Sequence, residues 1–167
     1  MNLRKAILPT AMAFFVYIIF SGSLSIYDLV TGVIVAFVAG LLFSELLISD
    51  TSKSLNILRL GYLLIYSIYY LFVAEVKSHL NVAKIILDPK LPINPAIVRV
   101  PYAVSTDYSI VGVANSITNT PGTVVVDLSK EKRLFYVHWI NAKYTDPEKC
   151  REEISKTFEK FLGKVFD

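Results

Sequence analysis

Glu75 and His79 stand four residues apart, and Lys77 and Lys84 accompany them, at the end of a long apolar stretch. On a helix the acid and the imidazole share a face, so they can form an ion pair, meet lipid headgroups or border a proton path in a partner. Two potential ligands with no third nearby do not make a metal site. His138 beside Trp139 invites a general-base reading, yet no Ser or Cys nucleophile with an oriented partner is recognisable, which favours a core or interface pair. Pro121-Gly122-Thr123 lacks the repeated glycines and the lysine of a phosphate loop. It is a turn into a strand, with Asn115 and Asn119 placed to fasten it through their side chains. Cys150 is the only cysteine, which excludes an internal disulfide, a Cys-rich zinc site and a four-cysteine iron-sulfur cluster. These residues imply no catalytic set, no metal and no cofactor.

The elements that must carry them begin in a membrane. Over 167 residues, 54% are hydrophobic and the mean hydropathy is +0.52, too high for an ordinary soluble domain. Residues 6–27 carry no charge before Asp28 and are long enough to span a bilayer, with Pro9 early in the helix. MNLRK, the apolar core behind it and SGS resemble a secretory signal, but a second apolar run follows at once, so a first span is expected. Residues 29–44 make the returning span. Within it Gly32, Ala36, Gly40 and Ser44 recur every fourth residue and line one face with small side chains, a packing surface whose nearest candidate partner is the first span.

After the polar loop SDTSKS comes a joint, residues 55–87, with Tyr62, Tyr66, Tyr69 and Tyr70 in its apolar half and Glu75 to Lys84 in its polar half. As one helix it would be about 50 Å long, against about 30 Å of bilayer hydrocarbon. Only Arg4, Lys5 and Lys53 are basic in residues 1–54, and none lies between the two spans, so the spans form a hairpin with both ends inside. A third crossing by the joint would export everything behind it. Ten Lys and Arg against nine Asp and Glu in residues 93–167 make that tail roughly neutral, without the basic patch that nucleic acid demands.

The tail's pattern is strand, helix, strand, strand, helix. DPKLPINP breaks the joint, residues 97–104 read as a strand in which Pro101 marks either an edge strand or a strand end, and residues 107–117 carry helical periodicity behind a Ser/Thr/Asp cap. Residues 123–128 and 134–140 form a hairpin about SKEKR. Thr145-Asp146-Pro147-Glu148 offers a cap, a first-turn proline and a capping-box Glu for one final helix, whose apolar face is Cys150, Ile154, Phe158, Phe161, Leu162 and Val165. Some 75 residues bury only a modest core, so this unit is expected to lean on the membrane or on a partner.

SGSLS between the spans, Glu75 with Asn81-Val82-Ala83, Pro95, the block from Ala114 through Asn115, Thr118, Thr120, Pro121 and Gly122 to Thr123, Val126-Asp127 and Tyr136-Val137-His138-Trp139 together carry a resemblance. Over nearly its full length the chain resembles the E-type subunit of the Mrp-type (Mnh or Pha) multisubunit cation/proton antiporters; Asn119 departs from the Leu more usual there. The resemblance implies a small accessory subunit with a cytoplasmic C-terminal domain, in a complex exchanging sodium for protons. It gives no catalytic residue to carry over. The same module occurs in archaeal membrane-bound hydrogenases and related complexes, and the absence of Gln, which also suits merely biased composition, leans toward such a thermophilic setting.

The expected architecture is therefore a two-span hairpin (1–54), a long membrane-embedded or interfacial joint helix and linker (55–92) and a small soluble α+β domain (93–167). The joint is either a helix lying along the cytoplasmic side, which the charge pattern and the resemblance favour, or a third span. The expected partners are other membrane subunits and the lipid bilayer, not nucleic acid. The expected role is a non-catalytic subunit of a cation/proton complex in the cell membrane; the alternatives are a membrane-tethered enzyme using His138 and a regulatory module sensing ions or partners.

Overall fold

The computed structural model describes residues 3–48, 50, 53 and 56–167. Most of the expected SDTSKS loop, all but Asp50 and Lys53, and Leu55 at the expected start of the joint lie outside the described residues. The chain folds as two compact units, Met1–Ile57 and Leu58–Asp167.

The first unit is a helical hairpin of α1 (Leu3–Ser21) and α2 (Ile26–Leu47), each long and apolar enough to cross a bilayer. Its connection is built by the SGSLS residues. Gly22 takes a left-handed φ of +63°, where a side chain would be strained, and Ser25 caps α2 by accepting from the Asp28 amide. The hydroxyls of Ser23 and Ser25 then donate to the Asp28 carboxylate at 2.5 and 2.6 Å, which satisfies the acid inside the turn. At the far end Lys5 Nζ lies 2.6 Å from Glu45 Oε2, tying the two helix ends together.

The second unit begins with α3 (Ile57–Leu87), a third helix long and apolar enough to cross, interrupted by a π-helical turn over Tyr70–Ala74. Pro89 and Pro92 follow its end, and β1 (Ala96–Pro101), α4 (Asp107–Asn119), β2 (Thr123–Ser129), β3 (Leu134–Trp139), α5 (Pro147–Ile154) and α6 (Lys156–Phe166) complete the chain. The antiparallel sheet has the order β1-β3-β2. Pro101, lacking an amide hydrogen, ends the edge strand β1 short of the expected Val104. Val98, Val100, Phe135, Val137 and Trp139 point from one face of the sheet into a core shared with Val113, Ile117, Cys150, Phe158 and Leu162. Between Val125 and Asp127 the β2 register slips by a bulge.

The final helix is not the single one expected. Ser155 sits at φ −117° between α5 and α6, and its hydroxyl donates at 2.7 Å to the buried Glu159 carboxylate. That carboxylate also takes two bonds from Arg151, at 3.0 and 3.2 Å, and one from the Ala103 amide at 2.8 Å. Asp146 rather than Thr145 caps α5, which puts Lys149 and not Glu148 at the capping-box position.

Candidate functional site

In the hairpin, Gly32, Ala36, Gly40 and Ser44 are all buried on one face of α2. A Cβ on Gly32 would stand 2.7 Å from the Tyr17 ring, and one on Gly40 would meet Thr10, including its Cα at 3.0 Å. The row thus lets α2 approach the backbone of α1. The acidic and basic side chains of the two helices stand at their ends: Arg4 and Lys5 in α1, Asp28 and Glu45 in α2.

In the second unit, the turn at Thr120-Pro121-Gly122-Thr123 joins α4 to β2. The Thr120 hydroxyl donates to the carbonyls of Ser116 and Ile117 at 3.1 and 2.9 Å, and the Thr123 hydroxyl donates to Ile117 at 2.7 Å. These two hydroxyls close the open carbonyls at the end of α4, the task that the sequence assigned to Asn115 and Asn119. Gly122 sits at φ +98°, where a side chain would be strained, and its Cβ would crowd Ile140 at 3.2 Å and Val82 of α3 at 3.3 Å. Thr118 accepts from the Val125 amide at 3.2 Å.

Val82 faces that turn because of the π turn upstream. The side chains of Arg59, Tyr62, Tyr66 and Tyr70 all reach the domain from the first half of α3. In an unbroken helix of 3.6 residues per turn, Val82 would fall nearly on the side opposite that face. The Glu75 amide instead bonds the Tyr70 carbonyl five residues back, and the extra residue swings Val82 toward the domain.

A cleft of about 360 Å³ results, walled by α3, the Pro121-Gly122 turn, the end of β3 and α5 with the start of α6. It gathers several residues singled out from the sequence: Lys77, Asn81, Thr120 to Thr123 and Trp139. It also gathers residues that were not, chiefly Lys143, Glu152 and Glu153, the first and last paired at 3.3 Å. The polar stripe of an amphipathic helix reads as a solvated face, so only the fold reveals these acids as a cleft wall.

Other expected residues lie elsewhere. His79 Nδ1 is 3.3 Å from Glu75 Oε2, but His79 is exposed, as is Lys84. Asn115 and Asn119 line a smaller cavity of about 290 Å³ with Tyr66, Tyr70 and Ser116. There the hydroxyls of Tyr66 and Ser116 share a hydrogen bond, while the buried Tyr70 hydroxyl has no well-formed one among the described residues, although burial and the nearby Glu75 carboxylate together push its pKa up. His138 alternates out of the core on β3, across from Ile97 and Val124, both exposed. Cys150 is fully buried and its thiol, pushed up by burial, donates to the Tyr144 carbonyl. Among the described residues no group of three His, Cys, Asp or Glu converges as metal ligands do.

The densest charge cluster is structural. Burial alone would raise the Glu159 pKa, but the bonds from Arg151, Ser155 and the Ala103 amide outweigh it and hold the carboxyl below its ordinary value. Asp167 behaves alike: partial burial opposes, and bonds from Ser109, Thr106 and Ser105 at the start of α4 prevail.

Comparison with known proteins places this arrangement. The family model described as MNHE, Na+/H+ ion antiporter subunit, matches residues 10–165. The E1 subunit of the Na+/H+ antiporter of Staphylococcus haemolyticus is 33% identical over 155 residues, covering 90% of this chain and 91% of that protein. The corresponding Na+/H+ antiporter E subunit of Bacillus subtilis is 31% identical over 113 residues, 68% of this chain and 66% of that one. Among solved structures, a chain of the membrane-bound sulfane sulfur reductase, an archaeal respiratory membrane complex, superposes with a TM-score of 0.83 at 31% identity, covering 97% of this chain and 99% of that one.

Proposed function

The chain belongs to the family of Na+/H+ antiporter E subunits, and from that premise we propose that it is a non-catalytic accessory subunit that braces the cation/proton-transporting part of a larger membrane complex. The observation that carries this reading is the hairpin. Its acidic and basic groups stand at the helix ends and its inner face is filled by close small-residue contact, so it offers no intramembrane relay of its own. Sodium and protons are the proposed ions, other membrane subunits the proposed partners and the cytoplasm the proposed side of the C-terminal domain. The likeness to a chain of an archaeal respiratory membrane complex supports a setting of that kind, and a hydrogenase-like complex is the proposed one.

Deleting this chain is expected to abolish assembly or Na+/H+ exchange in membrane vesicles while the remaining subunits are still produced. Exchange catalysed by this chain alone in liposomes would overturn the proposal.

A further inference from the structure

Length and composition make α3 a candidate span, but its contacts tell against a crossing. Near its start, Arg59 donates to the Val165 carbonyl at 2.8 Å and the Lys164 ammonium lies 4.7 Å from the Tyr62 ring centre. In the middle, Tyr69 stacks on Phe161, against which Tyr66 also packs at a tilt, and Tyr70 packs at a tilt against Phe158. Toward the end, Val82 meets the Gly122 turn, and Lys77 shares the cleft with Lys143 and Glu152. One domain is therefore held along α3 from Arg59 to Val82, about 35 Å of helix, longer than the hydrocarbon core. If α3 crossed, that domain would lie inside the bilayer with Lys143, Glu152, Glu153 and Lys164, a placement charged side chains oppose. Both ends of α3 face the same soluble body, so both ends are on one side.

The opposite face needs a different neighbour. Leu64, Ile68, Phe72, Val76, Leu80 and Leu87 are all exposed, Phe72 by 71%. Only residues 49–56 separate Ile48 at the close of α2 from Ile57, so the start of α3 is tethered close to the membrane however the two units are arranged. Lys84 and Lys90 at the far end, with Lys53 ahead of it, suit anionic headgroups. We propose that α3 lies within one leaflet of the bilayer, its Leu64 to Leu87 face among acyl chains and its tyrosine face clasped by the chain's own C-terminal domain, so that the chain crosses the membrane twice. The in-plane position follows from this unit alone; that the leaflet is the cytoplasmic one rests on the function proposed above.

The test uses the full chain reconstituted in vesicles containing anionic lipid, and again in its native complex. Buried Cys150 leaves single added cysteines to report. Nitroxides on Leu64→Cys, Phe72→Cys and Leu80→Cys are expected at one shallow depth, within about 5 Å, where a crossing helix would separate the first and last by about 24 Å. An impermeant thiol reagent is expected to reach Lys90→Cys and Lys132→Cys from the same side as Asn56→Cys. Depths that sweep through the bilayer centre, or ends labelled from opposite sides, would overturn the proposal. So would labels shielded from both lipid and water in the native complex, which would make another subunit the cover. Labelling of all three sites from the outside would leave the in-plane helix standing and refute the cytoplasmic assignment.

Discussion

Helices α2 and α3 are both apolar enough to span a bilayer, and they use that composition in opposite ways. On α2 the packed face is Gly32, Ala36, Gly40 and Ser44, and nearly all that remains is exposed apolar side chain. Such a helix gains by backbone approach, which small residues permit and which works where no water drives helices together. On α3 the packed face is Arg59, Tyr62, Tyr66, Tyr69 and Tyr70, long side chains that bring rings and polar tips to a soluble domain. Hydropathy counts both helices alike. The residue types on the packed face distinguish a helix that meets another helix in lipid from one that divides lipid from protein.

If that distinction is right, each unit should fail by its own mechanism, and the largest failure belongs to the domain. Replacing Glu159 by Ala strands the Arg151 guanidinium, the Ser155 hydroxyl and the Ala103 amide together, and should cost about 3 kcal/mol. Trp139, the sole tryptophan and buried in the domain core, reports the denaturant transition of this unit. The loss has a signed pH dependence. Because Glu159 is held below its ordinary pKa when folded, its contribution is full above the ordinary carboxylate range and is lost as pH falls through the folded value. The gap between the native chain and Glu159→Ala should therefore narrow on acidification below about pH 4. A gap independent of pH would show that the carboxylate is not the stabilising partner.

Gly40→Leu probes the other side of the comparison. A side chain there collides with Thr10 down to its backbone, so α1 and α2 must separate, at about 2 kcal/mol. Incorporation of the chain into its complex, followed by co-purification, should fall sharply while the Trp139 transition stays in place. Movement of that transition would mean that the two units are energetically coupled, and would break the comparison.

Much of this contrast was legible in the amino-acid order. The fourfold spacing of small residues marked the packed face of α2, Pro101 marked an edge strand, and the β-branched run on either side of SKEKR marked the hairpin. Two features were not legible, for a shared reason. The π turn at Tyr70–Ala74 leaves no local signature, because it is the domain's demand on both halves of α3 that makes the extra residue favourable. Likewise the face from Cys150 to Val165 has continuous helical period, and only the capture of Glu159 by Ser155 and Ala103 explains the break between α5 and α6. Asn115 and Asn119 are apt turn residues by type, yet the hydroxyls of Thr120 and Thr123 stood closer to the carbonyls that needed donors.

The finest test separates two tyrosines one helical turn apart on the face that α3 presents to the domain. Tyr66 shares a hydrogen bond with Ser116, whereas Tyr70 buries its hydroxyl without a well-formed hydrogen bond among the described residues, burial and the nearby Glu75 carboxylate pushing its pKa up; both rings pack on Phe158. Removing a satisfied hydroxyl forfeits a bond, so Tyr66→Phe should cost about 1 kcal/mol in the Trp139 transition. Removing an unsatisfied one forfeits nothing and relieves a desolvated dipole, so Tyr70→Phe should lie within about 0.5 kcal/mol of the native chain, on the stabilising side. Equal losses at both positions would mean that the rings alone, through their aromatic contacts, hold α3 to the domain. A larger loss at Tyr70 would mean that its hydroxyl does bond an acceptor; if Glu75→Ala leaves that loss unchanged, the acceptor lies outside this chain, and the cavity shared with Asn115 and Asn119 is where a partner or a lipid headgroup enters.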